Sequence, residues 1–344
     1  LINTKDIFDI TIIGSGPAGL FASFYAGLRE MKVKIIESHD RLGGKVHVYP
    51  EKMIWDIGGL TPVPGRQFIQ QMVEQGLTFS PTVARNETVQ SIQRDDTGMF
   101  HIHTTKTIHY AKTVLLAVGG GVIAPIKLEL DHAHQFEQGN LHYSVKRLKD
   151  FQDKRILISG GGNAAIDWAN ELAPIAKQVT LIYRGEALKG HENEISRLHH
   201  NQVNYLTHTQ LGKLIGTDGH IHAAHLKNTE TLQTHMLEVD AVIVNHGFHR
   251  DYQLIRESNL DIDLKDDYFV KGNAAGESSV PGLFAAGDIL TYQGKLHLIA
   301  GAFQDAANAV NSAKLYLEPN AVETALVSSH NEAFKEKNKQ YMYN

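Results

Sequence analysis

The stretch ITIIGSGPAGL, residues 10–20, constrains the fold more than any other part of the chain. Ile10, Thr11, Ile12 and Ile13 read as a buried parallel strand, followed at once by Gly14, Gly16 and Gly19 in the spacing GxGxxG and then by a helical pattern through Arg29. The first glycine allows a tight turn. The second lets backbone N–H groups approach a pyrophosphate, and the third lets the helix pack closely on the strand. Pro17 and Ala18 open the helix, whose N-terminal partial charge faces the phosphates. A second strand over residues 33–36 ends in Glu37, 23 residues beyond Gly14, where a carboxylate takes the ribose hydroxyls of a dinucleotide.

The unit recurs. Residues 155–159 (RILIS) form another apolar strand, followed by Gly160, Gly161, Gly162, Asn163, Ala164 and Ala165 and by a helix expected to run through Ala176. The next strand, residues 179–183, ends in Arg184, 24 residues beyond Gly160, so the spacing of the first unit is reproduced to within one residue. Two such βαβ units call for two dinucleotides, or for a dinucleotide and a cofactor built like one.

Each unit carries a similar insertion. Residues 89–94, 99–104 and 107–110 alternate as strands around the turn Asp95-Asp96-Thr97-Gly98, and residues 211–227 match them around Thr217-Asp218-Gly219. Buried strands at 113–118 and 241–244 follow. The glycines 119–121 and residues 245–251 are expected to form two hinge strands. Beyond residue 250, GLFAAGD (282–288) and a helix from about 301 to 317 complete the first sheet better than they make a new domain. The expected division is a discontinuous first domain, 1–119 and 246–344, around a second, 120–245; the last 25 residues read as a solvated helix or tail.

Composition removes several function classes. The 344 residues carry 33 bases against 38 acids, so nucleic acid is not an expected partner. No apolar run is long enough to span a bilayer, and the N-terminus lacks a signal-peptide pattern, which makes the cytoplasm the default expectation. There is no cysteine, which rules out disulfides, thiolate catalysis and cysteine-held metals in this chain. None of the 20 histidines stands in a metal-ligand spacing, and no metal is expected.

Taken in order, GSGPAGL with Glu37, LGGK (42–45), GGGNAAIDWA (160–169) and GLFAAGD cover nearly the whole chain. They resemble the flavin-dependent pyridine-nucleotide reductases with the thioredoxin-reductase layout. Within that group the chain is most similar to the thioredoxin-reductase-like ferredoxin/flavodoxin–NADP reductases, on the strength of Tyr49-Pro50, DIGG (56–59), Leu141-His142-Tyr143 and Ser328-Ser329-His330. The resemblance implies an α/β fold of two Rossmann-like, three-layer ββα domains with antiparallel three-stranded crossovers. It also implies a homodimer.

The same resemblance implies FAD on the first domain. Gly14, Gly16, Pro17, Ala18 and Gly19 would carry its pyrophosphate and Glu37 its ribose, with Gly44 and Lys45 near the phosphate–ribityl stretch. Val89 would meet the adenine through its backbone with Ile123 nearby, and Asp288 would bind a ribityl hydroxyl. Tyr49 would stack on one face of the flavin ring; His330, with Ser329, would cover the other from the C-terminal tail (about 318–344), in many members from the neighbouring subunit.

On the second domain the implied ligand is NADPH, on Gly160, Gly162, Asn163, Ala164 and Ala165, with Arg184 and Lys189 toward its 2′-phosphate. A cation suits that phosphate and a carboxylate repels it. The family pattern has two adjacent arginines and a third five residues after the first; here Gly185 and Lys189 stand in the second and third places. One lost guanidinium contact, about 1.5–3 kcal/mol, would weaken the preference about 10- to 100-fold, so NADH use stays open.

The missing CxxC excludes electron transfer through a disulfide of this chain, so a reduced flavin must pass electrons directly to an outside acceptor. Ferredoxin, flavodoxin and a haem-degrading monooxygenase are the alternatives. The basic residues Lys146, Arg147, Lys149, Lys154 and Arg155 could offer a docking patch, or simply a solvated face. A flavin monooxygenase or a nucleotide sensor without turnover are the readings outside this class; the stretch Phe136 to His142 has the wrong spacing for the monooxygenase fingerprint.

Overall fold

The computed structural model describes residues 7–121, 124–249, 253–325, 331–335, 338 and 339. The chain forms two compact units. One comprises Leu1–His47, Lys52–Val122 and Arg250–Asn344; the other comprises Val48–Glu51 and Ile123–His249.

The first unit opens with β1 (Ile7–Ile13), α1 (Pro17–Leu28) and β2 (Val33–Ile36). Every residue of β2 is buried, as expected of a parallel strand covered on both faces. α2 (Gly65–Gly76) and the short β3 (Thr82–Ala84) follow. Next come β4 (Val89–Arg94), β5 (Phe100–Thr104) and β6 (Ile108–Leu116). They join one sheet in the order β3-β2-β1-β6-β5-β4. The strands expected separately at 107–110 and 113–118 are therefore one strand. β6 pairs antiparallel with β5 through residues 108–111 and parallel with β1 through residues 110–116. Each backbone edge of β6 is occupied, so no break is needed between the two roles.

The second unit begins, after the crossing, with β7 (Leu141–His142), then β8 (Arg155–Ser159), α3 (Asn163–Leu172) and β9 (Gln178–Ile182). α3 stops four residues short of Ala176. Ala173 still has helical backbone, but Pro174 has no N–H to carry the helix ladder further. α4 (Glu192–His200) and β10 (Asn204–Leu206) continue the unit. A separate antiparallel sheet holds β11 (Thr209–Thr217), β12 (His220–Asn228) and β13 (Thr234–Glu238), so its third strand lies beyond the 211–227 segment. β14 (Ala241–Val244) returns to the parallel sheet, whose order is β7-β14-β8-β9-β10. One apolar cluster, with Ile166, Trp168, Ala169 and Leu198, sits under the helices; another, with Leu211, Ile221 and Leu226, sits under the antiparallel sheet.

The pairing expected of glycines 119–121 falls elsewhere. Residues Ala124–Pro125 pair antiparallel with Phe248–His249, while Gly119 and Gly121 take positive φ in a turn before it. A left-handed turn cannot extend a ladder, so the pairing waits until the backbone is extended again.

Back in the first unit, β15 (Leu283–Ala285) pairs parallel with residues 114–116 of β6, and α5 (Ile299–Leu317) covers the sheet. α1 meets α5 through small side chains, Ala18, Ala22 and Ala26 against Ala302, Ala306, Ala309 and Ala313, which permits a close approach of the helices. No described helix is long and apolar enough to cross a membrane.

Candidate functional site

The carboxyl ends of β1 and β2 meet at the first glycine turn. Gly14 takes φ +99°, and a Cβ on Gly19 would collide with the Gly14 carbonyl oxygen, so the turn requires both glycines. Glu37, only 6% exposed, is tied to the turn itself. One carboxylate oxygen accepts from the Ser15 N–H (3.0 Å) and Ser15 Oγ (2.5 Å); the other accepts from Ser38 Oγ (3.1 Å) and the His39 N–H (3.0 Å). A carboxylate has about four acceptor positions, so a ribose hydroxyl would enter by displacing a rotatable serine hydroxyl.

Two further segments converge on this turn, together with the start of α5. The Gly43 N–H donates to the Ser15 carbonyl at 3.0 Å, and a Cβ on Gly44 would lie 2.6 Å from the Gly16 Cα. Lys45 follows, exposed. Gly287, at φ +75°, lies between Ala18 of α1 and Ala302 of α5; a Cβ on it would be 3.1 and 3.8 Å from theirs. Asp288 is exposed between the buried Gly287 and Ile289. The result is a glycine-lined cradle with two helix starts, a lysine and two carboxylates at its border, which fits a dinucleotide cofactor.

Val89 is buried at the start of β4, beside the segment whose Glu87 N–H donates to the Glu37 carbonyl (3.0 Å). Tyr49 is half-buried and packs against the second unit's apolar cluster, within Val48–Glu51. Its neighbour Glu51 accepts the Leu148 N–H at 2.7 Å. Ile123, Ser329 and His330 lie outside the described residues.

The second glycine turn repeats the crowding of Gly14, where a Cβ would lie 2.5 Å from the Ala117 carbonyl oxygen. A Cβ on Gly160 would lie 2.5 Å from the Asn245 carbonyl oxygen, but one on Gly162 would meet nothing. The Lys189 N–H donates to the Gly161 carbonyl (2.6 Å), which ties Lys189 to the turn. Asn163 Oδ1 accepts the His191 N–H at 3.0 Å, while Ala164 and Ala165 form the first turn of α3. Arg184 is exposed beyond β9. At the end of β14 the side chain of Asn245 presents a buried oxygen without a hydrogen-bond partner. His246 Nε2 lies 2.8 Å from Ser159 Oγ. Desolvation of its ring and, less, the Arg184 guanidinium hold its pKa below the usual histidine value. Open space over Gly162, an orphaned polar atom and a rim of cations fit a phosphate-bearing nucleotide.

Comparison with known proteins shows the family. Residues 8–313 match the pyridine nucleotide-disulphide oxidoreductase family. The chain belongs to that family. Its similar relatives include proteins named ferredoxin–NADP reductase 1. That of Bacillus licheniformis is 54% identical and that of Bacillus cytotoxicus 55%, covering 98% and 99% of both chains respectively. The fold resembles the thioredoxin reductases of T. acidophilum (TM-score 0.77, 22% identity, 92% of this chain and 100% of that one) and Lactococcus lactis (0.76, 24%, 90% and 99%).

This oxidoreductase has no cysteine, although the family is named for a disulphide. Two residues that sequence reasoning missed stand at its second turn. His191 carries a faint signal, two residues beyond Lys189. His246 carries none, because only strand pairing brings the end of β14 beside β8.

Proposed function

We propose that the first unit holds FAD, that the second takes NADPH, and that the enzyme passes electrons from NADPH through the flavin to a soluble one-electron carrier such as ferredoxin or flavodoxin. The observation that carries this reading is the pair of glycine turns with opposite charge, Glu37 on one and Arg184 with Lys189 on the other, in a chain without cysteine. Close relatives named ferredoxin–NADP reductase support it.

Bound FAD supplies the chemistry that splits an electron pair into single electrons. The chain's own residues bind and orient. Gly14, Gly16, Pro17, Ala18 and Gly19 admit the pyrophosphate, Glu37 the ribose, Gly44 and Lys45 the phosphate–ribityl stretch, and Asp288 a ribityl hydroxyl; Val89 borders the adenine. Gly160, Gly162, Asn163, Ala164 and Ala165 admit the NADPH pyrophosphate, and Arg184 and Lys189 face its 2′-phosphate. Roles for Tyr49, Ile123, Ser329 and His330 around the flavin belong to this reading by resemblance. So do the division into an FAD-binding and an NADPH-binding domain and the homodimer; a monomer in sedimentation analysis would remove the last.

The decisive experiment is an anaerobic titration of the purified protein with NADPH, followed by addition of oxidised ferredoxin or flavodoxin. Bleaching of the oxidised-flavin band and its return on adding carrier is the expected result. Bleaching without return redirects the acceptor toward haem-degrading oxygenases, and no bleaching with either nicotinamide overturns the reading.

A further inference from the structure

Behind the first cradle lies an ion pair that none of the binding roles above uses. Asp305, in the second turn of α5, and Lys295, in the loop before it, form a salt bridge with side chains 1% and 2% exposed. The same carboxylate accepts the Gly287 N–H (3.1 Å) and the Tyr292 hydroxyl (2.8 Å). The Tyr292 pKa is pushed up to about 12, first by desolvation and then by this carboxylate. An apolar pair of equal volume would often be as stable as a buried ion pair, so stability alone does not account for it.

We infer that Lys295 and Asp305 form a positioning pair for the flavin site, holding the Gly287–Asp288 turn against the start of α5 and setting the flavin's reduction potential. The inference rests on the proposed reading of the first unit as the FAD site. Gly287 sits between Ala18 and Ala302 with little room, and the residue after it is Asp288. Asp305 grips the Gly287 N–H from the α5 side, so the turn cannot slide along the helix without breaking a buried charged hydrogen bond. The pair is electrically balanced. Removing one member leaves a charge of known sign in a dry place behind the cradle, where it acts with little screening. A reduced flavin carries more negative charge than an oxidised one, so a surplus cation raises its potential and a surplus anion lowers it.

The test compares the flavin potential of the parent holoenzyme with Asp305→Asn, Lys295→Met and the double variant, by spectroelectrochemical titration at about pH 8, between the usual carboxylate and lysine ranges. Asp305→Asn should raise the potential and Lys295→Met lower it. Each should change the oxidised-to-reduced ratio about tenfold, or about 30 mV for a two-electron couple. The double variant should return close to the parent. Misfolding or a merely structural role would not move two single variants in opposite directions and restore the pair. Should a single variant fail to fold, Tyr292→Phe keeps the question open to measurement: it removes one donor to Asp305 without changing charge, and should shift the potential slightly in the Lys295→Met direction. Four coinciding potentials, two single shifts of the same sign, or an unmoved Tyr292→Phe overturn the inference. A parent protein that binds no FAD overturns the reading of the first unit and this inference with it.

Discussion

The two glycine turns share a spacing and a leading glycine crowded by a strand carbonyl, and they differ in the charged group that follows and in how it is held. At the first, the decisive carboxylate is buried, meets four donors and is bonded to the turn it serves. At the second, the decisive cation is exposed, the space above Gly162 is open, and a neighbouring asparagine oxygen has no partner. Pre-formed polar contacts lower the ordering cost of binding and suit a ligand that stays. An open rim with unfilled hydrogen-bond capacity suits a ligand that comes and goes, which is the division of labour that the proposed function requires.

The largest effects are expected from adding a single methyl group at the crowded third glycine of the first turn and at the open middle position of the second, which matches Gly16. Gly19→Ala drives a Cβ into backbone and should cost about 3 kcal/mol or more and abolish FAD retention. Gly162 has an ordinary φ of −93° and free space, so Gly162→Ala should leave the denaturation midpoint unchanged and raise the KM for NADPH about tenfold by occupying pyrophosphate space. Equal losses of stability in the two variants would break the comparison.

A smaller effect sharpens the second site alone. Arg184→Ala should lower kcat/KM for NADPH about 10- to 100-fold while leaving NADH nearly untouched. Equal losses with both nucleotides would remove the 2′-phosphate role. Glu37→Gln, by contrast, should reduce FAD content and leave the nucleotide preference where it was.

Much of this was legible along the chain. β2 and β14 stand where the apolar runs place them, because a parallel strand buried on both faces is apolar throughout. The glycine turns were legible because steric demand leaves no other residue for Gly14 or Gly19. What the chain does not display are features set by tertiary pairing. β13 is an exposed strand of a short sheet and lacks an apolar alternation. The excursion of Val48–Glu51 into the second unit carries no turn or periodicity signal. The Lys295–Asp305 pair reads as two ordinary surface charges until the start of α5 closes over them.

Acid sensitivity offers the subtlest distinction between the units. His142 and His246, both in the second unit, have pKa values held below the usual histidine range, His142 chiefly by desolvation with Lys154 adding to it. For each, the unfolded chain binds a proton more readily than the folded one, so stability rises with pH. The contribution is complete above the unfolded value of about 6.5 and is lost progressively as pH falls below it. Carboxylate losses come later: Asp240, held down to about 2 chiefly by its hydrogen bond to Arg155, contributes stability above about 3.9 that disappears as pH falls toward its folded value. The second unit should therefore weaken first as pH falls below about 6.5, before the carboxylates titrate. Its buried Trp168 (4% exposed) reports its unfolding by fluorescence once Trp55, 74% exposed in the first unit, is replaced by Phe. In that Trp55→Phe protein the urea midpoint from Trp168 should fall across this window, and His142→Gln should flatten part of the slope. A midpoint that does not change with pH would mean that these rings reach water in the folded state as freely as in the unfolded one, and would remove the pH distinction between the units.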